Sequence, residues 1–370
     1  MEDYHPNSGG PAKGDQIPPV SYLQWYIPRL KEMRPHNLSF SGLQFPWELE
    51  NIDGIWKDHR GPGIDDRNLV SEMYGVPVEN VLLTHGATQA ISIAISAASR
   101  GGKVAVEMPS YGPLSQTARI LGLETITVRR KPTNEAWSID RDEWKSVLKQ
   151  VDLLMVCRQL NPVGWSYTES DRKWLIQTCK ENDVRIISDE VYSGADRNWT
   201  PFFKEGDNCI SLSSLTKIHG LGQIRYGWMI ASENIIKNAQ NTFHNLAGIM
   251  SSPVIRIAEQ IKDRLHEPVE LIEYYREKNL PLLQNMLESL GIEWAPPPYG
   301  VFGAFRVPGV DTKEMVDTIG KEHGLLAVPG CMFDSGLEEW LRIGWSIDPD
   351  SFASAIDVLE AVLRKAINIS

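Results

Sequence analysis

Short apolar runs recur along the middle of the chain, and helix-compatible segments lie between several of them. The runs are Val81–Thr84, Val104–Met108, Thr125–Val128, Leu153–Cys157, Arg185–Ser188, Cys209–Leu212 and Trp228–Ala231. The helical segments are Ala87–Ser99, Pro113–Leu121 and Glu169–Asn182. Strands that alternate with helices form βαβ units, so the pattern predicts an α/β fold with a mostly parallel, seven-stranded sheet.

The pattern changes after residue 233, where longer helical stretches replace the short runs. A second β-containing unit follows, with strands predicted at Gly303–Val307 and Leu341–Trp345 and a helix over Pro349–Ile367. These elements predict a smaller α+β domain beside the large one. The cleft between two such domains is a usual place for a ligand.

The predicted domains are not contiguous in sequence. We expect residues 46–250 to form the large domain, and residues 21–45 to join residues 251–370 in the small one. Residues 1–20 are rich in Gly and Pro, which predicts a mobile N-terminal arm.

Composition and charge narrow the classes of partner. The chain has 370 residues, 42% of them hydrophobic, and a formal net charge of −11. Nucleic acids and anionic membranes attract basic surfaces, so neither is expected as a partner. No apolar run approaches the roughly 20 residues of a membrane span, and no secretory signal is evident, so a cytoplasmic location is expected.

The cysteines and histidines lack the spacing of a disulfide framework or a metal site. Cys157, Cys179, Cys209 and Cys331 form no C-x-x-C pair, and the eight histidines include no His-x-x-x-His pair. Reduced thiols and no bound metal are therefore expected.

Polar stretches follow four of the predicted strands. They are Thr84–Gln89, Arg158–Gly164, Ser188–Tyr192 and Ser213–Lys217. In open parallel sheets, ligands bind at the carboxyl ends of the strands. We therefore expect the four stretches to meet at one edge of the sheet and to form a single site.

Lys217 follows a buried strand and has hydroxyl residues beside it in sequence. Burial lowers the pKa of a lysine, and Schiff-base chemistry requires the neutral amine. Ser214 and Thr216 offer hydroxyl groups to a phosphate, and Arg225, eight residues after the lysine, offers a guanidinium fork. The alternative for the two hydroxyl groups is the capping of a turn.

Glycines near this lysine and after the first strand raise the question of a dinucleotide-binding turn. Neither Gly220-Leu-Gly222 nor Gly86-Ala87-Thr88 has the G-x-G-x-x-G spacing, which argues against that function. The second stretch opens a predicted helix, where backbone N–H groups can approach a phosphate. A plain N-capped turn is the alternative.

Four further residues suit a protonated heteroaromatic ring. Asp189 ends an apolar strand, where a buried carboxylate needs a cationic partner such as a pyridinium nitrogen; capping of the next helix is the alternative. Asn161 and Tyr192 can hydrogen-bond a phenolate oxygen. Tyr111 can stack on the ring, although packing in a core or turn would also explain it.

Taken in their order along the chain, these motifs resemble those of the class I/II aminotransferases. These are the aspartate-aminotransferase-like enzymes of fold type I, which use pyridoxal 5′-phosphate (PLP). The resemblance runs from about Leu43 to the C-terminus. Its motifs are Gly86-Ala-Thr88, Pro109-Ser-Tyr111, Asn161-Pro-Val-Gly164, Asp189-Glu-Val-Tyr192, Ser214-Leu-Thr-Lys217 with Arg225 and Gly227, and Leu341-Arg-Ile-Gly344.

The resemblance implies a role for each matched residue at the cofactor ring. Lys217 is then the Schiff-base lysine and the proton shuttle, and Asp189 keeps the pyridine nitrogen protonated. Asn161 and Tyr192 bind the phenolic oxygen, and Tyr111 stacks on the ring.

The resemblance also implies the residues that bind the phosphate and the substrate. The phosphate ligands are Ser214, Thr216, Arg225 and the backbone of Gly86, Ala87 and Thr88. Arg342 binds the substrate α-carboxylate as a fork, with Asn161 also at the substrate. A homodimer is the assembly that the resemblance implies.

Three features depart from the family pattern. Gln223 stands where the family has a glycine six residues after the lysine, and Arg158-Gln-Leu160 replaces the asparagine run before Asn161. The tyrosine that reaches the partner subunit's phosphate has no match, and Trp56–His59 stands in its region.

The reaction implied is the transfer of an amino group between an L-amino acid and a 2-oxo acid. A PLP-dependent lyase or cyclase is the alternative on the same fold, and a non-catalytic amino-acid sensor is a third candidate. Arg60, Arg158 and Arg197 are candidates for a second substrate carboxylate, whereas Tyr26 and Trp47 would suit an apolar or aromatic side chain.

Overall fold

The computed structural model describes residues 9–11, 19–44, 46–47, 67–133 and 136–367. Its strands are β1 His36–Asn37, β2 Val81–Thr84, β3 Val104–Met108, β4 Thr125–Pro132, β5 Trp137–Ile139, β6 Leu153–Cys157, β7 Arg185–Asp189, β8 Cys209–Ser214, β9 Gly227–Ile230, β10 Phe302–Arg306, β11 Leu325–Leu326, β12 Val328–Pro329 and β13 Trp340–Gly344. Its α-helices are α1 Ser21–Leu30, α2 Asn68–Tyr74, α3 Ala87–Ala98, α4 Gly112–Ile120, α5 Arg141–Leu148, α6 Glu169–Glu181, α7 Phe202–Glu205, α8 Glu233–Ala247, α9 Ser252–Ile261, α10 Glu267–Ser289, α11 Thr312–Met315 and α12 Pro349–Ile367.

The large sheet has the strand order β2-β9-β8-β7-β6-β3-β4-β5. Strands β8, β7, β6, β3 and β4 run parallel to one another, whereas β9 is antiparallel to both of its neighbours and β5 is antiparallel to β4. All seven strands predicted from the apolar runs are present, which confirms the predicted α/β fold. The sequence did not predict β5, because its three residues are too few to show an alternation.

Both faces of this sheet are buried, which explains why its strands are continuous apolar runs. Successive side chains of a strand point to opposite faces. In β6, Leu153 and Met155 belong to one core cluster, whereas Leu154 and Val156 belong to another on the opposite face. Helices cover both faces, as is usual for a parallel sheet.

A smaller region contains the antiparallel sheet β10-β13-β12 and the parallel pair β1-β11. Phe305 and Ile343 of its strands pack with Leu283 of α10 and Leu359 of α12 in a separate core cluster. Both strands predicted here are present, each beginning one residue earlier than expected, and the final helix has the predicted bounds.

The segment 38–43 passes between β13 and the turn that carries Lys217. At one end it accepts a hydrogen bond from the N–H of Gly344 (2.8 Å), and at the other it donates one to the backbone oxygen of Lys217 (3.0 Å). A Cβ at Gly42 would lie 2.6 Å from that oxygen, and a Cβ at Gly344 would lie 1.9 Å from a backbone oxygen of the segment. The two glycines therefore permit the close contacts that fix the segment in place.

Some predictions concern residues that the structure does not describe. Most of the predicted arm, residues 1–8 and 12–18, lies outside the described ranges, and Gly9 pairs with Thr125 of β4. The division into two domains stays a prediction. Within the described ranges, none of the helices combines the length and the apolar character that a membrane span needs.

Candidate active site

One pocket collects the residues that were predicted at the strand ends. It has a volume of about 240 Å³. Eleven of the twelve predicted site residues line it: Ala87, Thr88, Tyr111, Asn161, Asp189, Tyr192, Ser214, Thr216, Lys217, Arg225 and Arg342. The twelfth, Gly86, lies against the Arg225 side chain. The carboxyl ends of the parallel strands thus meet as expected.

Glycines bring Arg225 next to the beginning of α3. Gly86 has a φ of +84°, and a Cβ there would lie 2.4 Å from Nη2 of Arg225. A Cβ at Gly227 would lie 2.5 Å from the carbonyl carbon of Gly86. The guanidinium and the N-terminal amides of α3 therefore face the same space, an arrangement that favours an anion.

Hydroxyl groups at the end of β8 and in the turn that follows it line the same pocket. Ser214 is buried, and its Oγ accepts a hydrogen bond from the N–H of Thr216 at 3.3 Å. Oγ1 of Thr216 is buried and has no hydrogen-bond partner among the described residues. An unsatisfied buried hydroxyl in a pocket that also holds a guanidinium suits a ligand with a phosphate group.

Asp189 is a buried carboxylate at the end of β7. Its Oδ1 accepts a hydrogen bond from the N–H of Val191 at 3.2 Å. Burial raises the pKa of Asp189 to about 6, although that hydrogen bond and the charge of Lys217 act in the opposite direction. A buried carboxylate is costly unless a cation faces it, so this position favours a ligand with a protonated nitrogen.

Tyr111 immediately precedes α4 and lines the same pocket. Burial raises its pKa, which keeps the hydroxyl neutral. Its ring meets the ring of Tyr22 edge-on, with centroids 6.5 Å apart. An aromatic ring held in this way offers a face on which a flat ligand can stack.

A continuous chain of hydrogen bonds joins Arg342 to Lys217. Nη1 of Arg342 donates to Oδ1 of Asn161 (2.9 Å), and Nδ2 of Asn161 donates to the Tyr192 hydroxyl (3.4 Å). The Tyr192 hydroxyl donates to Oγ of Ser41 (3.4 Å), which also accepts from Nζ of Lys217 (3.1 Å). All are buried except the half-buried lysine. The side chains therefore hold one another in place at low dielectric constant.

The pKa of Lys217 is lowered to about 8. Burial is the largest cause, and the positive charges of Arg342 and Arg225 act in the same direction, whereas Asp189 opposes them. Roughly a tenth of such an amine is neutral at pH 7, which is hundreds of times the fraction for an ordinary lysine. The neutral amine is the form that attacks a carbonyl carbon or accepts a proton.

Comparison with known proteins gives the family of this chain. Residues 67–359 match the family described as aminotransferase class I and II. The chain belongs to that family. Membership makes it an enzyme of the aminotransferase type with PLP as its cofactor, so the family, the enzyme class and the cofactor predicted from the sequence are confirmed.

Individual relatives are distant in sequence. A histidinol-phosphate aminotransferase of Blochmanniella pennsylvanica is 28% identical over 234 residues, which cover 60% of this chain and 63% of that protein, slightly less than two thirds of its length. A PLP-dependent aminotransferase of Streptococcus suis has a TM-score of 0.85 at 20% identity, covering 95% of this chain and 99% of that one. The PLP-dependent cyclase OrfR has a TM-score of 0.78 at 20% identity, with coverages of 95% and 99%. These two structures share the aminotransferase fold.

The pocket fits PLP at both charged ends of the cofactor. The guanidinium of Arg225, the amides that follow Gly86 and the unsatisfied hydroxyl of Thr216 suit the phosphate. The buried carboxylate of Asp189 suits the pyridine nitrogen. No group of three or more His, Cys, Asp or Glu side chains in the described ranges could hold a metal ion.

Among the lining residues that sequence reasoning missed, Ser41 and Tyr22 bear most on the site. Ser41 follows no predicted strand, and its partners Lys217 and Tyr192 are 176 and 151 positions away in the chain. Tyr22 belongs to α1, where an aromatic residue has no local feature that distinguishes a pocket position from a core position. The one feature of the sequence that could have indicated a close backbone contact here is Gly42, the residue after Ser41.

Other candidates from the sequence lie elsewhere. Arg158 donates to the backbone oxygen of Thr200, Arg197 pairs with a glutamate at the surface, and neither lines the pocket. Gln223, which departs from the family pattern, is exposed. Arg60 and Trp56–His59 lie outside the described residues.

Proposed function

We propose that this protein transfers amino groups between an L-amino acid and a 2-oxo acid, with Lys217 as the residue that binds PLP covalently and moves the proton. The observation that carries the proposal is the hydrogen-bond chain from Arg342 to Lys217, in the pocket that Arg225 and the beginning of α3 also line. A substrate carboxylate at one end of that chain lies close to the amine at the other end.

PLP, when bound, supplies a conjugated ring that accepts the electrons released when a proton leaves the substrate Cα. Asp189 favours a protonated ring nitrogen, because a cation offsets the cost of its buried charge. Asn161 and Tyr192 offer an amide and a hydroxyl to the ring oxygen, and Tyr111 offers its face to the ring. These four residues orient the cofactor.

The phosphate is proposed to bind at the other end of the pocket. Arg225 supplies charge and a fork of N–H donors, Ser214 and Thr216 supply hydroxyl groups, and residues 86–88 supply backbone N–H groups at the beginning of α3. These groups would hold the phosphate and would thereby fix the ring of the cofactor relative to Lys217.

Arg342 is proposed to bind the α-carboxylate of the substrate. Its guanidinium is fully buried; Nη1 and Nη2 donate to Asn161 and to the backbone oxygen of Ser39, and Nε has no hydrogen-bond partner among the described residues. A buried cation with an unpaired donor favours a carboxylate, and the planar fork fixes its orientation. That orientation turns the Cα–H bond towards Lys217.

Lys217 is proposed to accept the proton from Cα at its Nζ atom. A pKa of about 8 lies close to neutrality, which suits a group that must both take up and release a proton. Burial, and after it the charges of Arg342 and Arg225, lower the pKa and so raise the neutral fraction of the amine.

We further propose that the substrate has an uncharged side chain that is apolar or aromatic. The remaining lining of the pocket includes Tyr22, Leu23, Tyr26 and Ile91. Among the described residues that line it, the lysine and arginine side chains are Lys217, Arg225 and Arg342, and each already has a proposed ligand. No lysine or arginine among these residues is left for a second substrate carboxylate.

A lyase or cyclase is the second candidate. Its support is the fold that this chain shares with the cyclase OrfR, because the same apparatus can direct an amino acid to a different product. A non-catalytic sensor is not favoured, because such a protein has no need of a lysine with a lowered pKa beside a buried carboxylate.

The assembly is proposed to be a cytoplasmic homodimer with the two domains predicted above. Leu246 and Ile249, at the end of α8 and just beyond it, expose 65% and 47% of their surface, and a partner subunit would cover them. Light scattering of the purified protein at several concentrations measures the assembly, and a monomer at all of them would contradict it.

An amino-acid panel tests the proposed reaction. The PLP-loaded protein is incubated with single amino acids and 2-oxoglutarate, and glutamate, ammonia and pyruvate are measured. Transamination predicts glutamate, and Lys217→Ala should lower kcat by about 10³-fold or more. Lys173→Ala, at an exposed lysine that pairs with Glu169, is the matched control. Ammonia without glutamate would favour the lyase, and full turnover by Lys217→Ala would contradict the proposal.

A further inference from the structure

Ser41 lies in the segment 38–43, which forms hydrogen bonds with both Lys217 and Arg342. The segment donates a backbone hydrogen bond to the oxygen of Lys217 (3.0 Å), and the backbone oxygen of Ser39 accepts one from Nη2 of Arg342 (2.8 Å). These two hydrogen bonds hold the segment, and with it Ser41, in place relative to Lys217.

The hydroxyl of Ser41 forms hydrogen bonds with two residues of the proposed active site. Nζ of Lys217 donates to it at 3.1 Å, and the hydroxyl of Tyr192 donates to it at 3.4 Å. Ser41 is buried, with 8% of its surface exposed, so water competes little for these contacts. A serine hydroxyl can accept from a protonated amine and donate to a neutral one, so it can hydrogen-bond Lys217 in both states.

We propose that Ser41 is a positioning residue for Lys217: its hydroxyl holds the Nζ atom beside Tyr192 and keeps the amine aimed while its protonation changes. The inference rests on the proposed role of Lys217 as the base. A lysine amine sits on a flexible four-carbon chain, and without an anchor it samples other rotamers. Ser41 supplies that anchor from a part of the chain that carries no family motif.

Residues from several parts of the fold influence the pKa of the Lys217 amine. The groups that face Lys217 are Arg342, Arg225, Asp189 and Tyr192. The arginines lower the pKa of Lys217 and the aspartate raises it, whereas burial raises the pKa of the tyrosine, which keeps it neutral. Ser41 adds an uncharged acceptor that stabilises the protonated amine. Its removal should therefore lower the pKa of Lys217.

The test measures Lys217 in the apoprotein, so it does not depend on turnover. The rate of acetylation by limiting acetic anhydride is followed against pH by mass spectrometry of the peptide that contains Lys217. Ser41→Ala should lower the midpoint by about half a unit to one unit, and Ser41→Thr, which restores a hydroxyl, should stay within about 0.2 units of wild type. Ser346→Ala is the matched control, because Ser346 is buried outside the pocket and its Oγ has no partner among the described residues.

Kinetics of the PLP-loaded enzyme supply a second readout. Ser41→Ala should lower kcat about tenfold and change KM less than about twofold, because Arg342 still binds the carboxylate. Coincident midpoints for Ser41→Ala and Ser346→Ala would overturn the inference, and so would a shifted midpoint with an unchanged kcat. If the wild type converts no amino acid at all, the proposed function fails, and the acetylation midpoints alone decide the role of Ser41.

Discussion

The cofactor end and the substrate end of the pocket are built from different kinds of structure. At the cofactor end, Asp189 and Ser214 are the last residues of β7 and β8, so the strands themselves place them. At the substrate end, Arg342 lies within β13, Ser41 in the irregular segment 38–43 and Tyr22 in α1. The first end depends on one sheet, whereas the second depends on the packing of distant segments against that sheet.

This difference predicts different consequences of mutation. A substitution at the cofactor end removes one ligand from a rigid frame. A substitution at the substrate end also disturbs the segment 38–43, whose backbone touches both β13 and Lys217. Changes at the first end should therefore act through the cofactor, and changes at the second through the binding and placement of the substrate and of Lys217.

Among the substitutions that compare the two ends, the largest effect is expected at the cofactor end, for Asp189→Asn. The neutral amide cannot stabilise a protonated ring nitrogen, so kcat should fall about 10²- to 10³-fold. Steady-state kinetics at saturating PLP measure the loss. An activity within about threefold of wild type would contradict the role of this carboxylate.

The same substitution should stabilise the apoprotein. The folded pKa of Asp189 is about 6, above the ordinary value of 3.8, so stability is retained at low pH and lost as the pH rises through about 6. Asparagine does not ionise, so it does not lose stability as the pH rises. The free energy of unfolding of the Asp189→Asn apoprotein should therefore exceed that of wild type at pH 8 by up to about 3 kcal/mol. The advantage should shrink towards pH 4. Urea unfolding at the two pH values checks the sign, and a wild-type apoprotein that is the more stable at pH 8 would reverse it.

The next effect concerns Arg342→Lys at the substrate end. Lysine keeps the charge but loses the planar fork, so kcat/KM should fall about 10- to 100-fold for every amino acid alike. Arg197→Lys, in an exposed pair with Glu273, is the matched control and should behave as wild type. A loss restricted to a few substrates would place the α-carboxylate elsewhere.

Gly42→Ala tests the contact between the two ends. Its Cβ would lie 2.6 Å from the backbone oxygen of Lys217, so the segment must shift. We expect kcat to fall about tenfold and the free energy of unfolding to fall by about 1–3 kcal/mol. Gly336→Ala, where a Cβ would meet no atom within 4 Å, is the control. If both alanine variants match wild type in kinetics and in chemical denaturation, the segment does not position the lysine.

The smallest effect is expected for Tyr22→Leu. The ring of Tyr22 stacks on Tyr26 at 5.0 Å and lines the proposed side-chain subsite. Its loss should change the ratio of kcat/KM for aromatic over short aliphatic amino acids by about 3- to 10-fold. Tyr22→Phe keeps the ring and should keep the ratio. An unchanged ratio in Tyr22→Leu would remove α1 from substrate selection.

The same contrast explains how far the sequence predicts the structure. Residues such as Asp189 and Lys217 are predictable because a buried strand both marks and places a polar residue at its end. Ser41 is not predictable in this way, because a hydroxyl that meets partners 151 and 176 positions away has no local pattern. Gln223, which departs from the family motif, is exposed and does not line the pocket.

The covalent role of Lys217 is the central claim, and reductive trapping tests it most directly. The PLP-loaded protein is treated with sodium borohydride, digested, and its peptides are sequenced by mass spectrometry. The account predicts the added mass of a reduced pyridoxyl phosphate on Lys217, and its absence from that peptide in Lys217→Ala. A stoichiometric adduct on another lysine of the wild type, with Lys217 unmodified, would contradict the account.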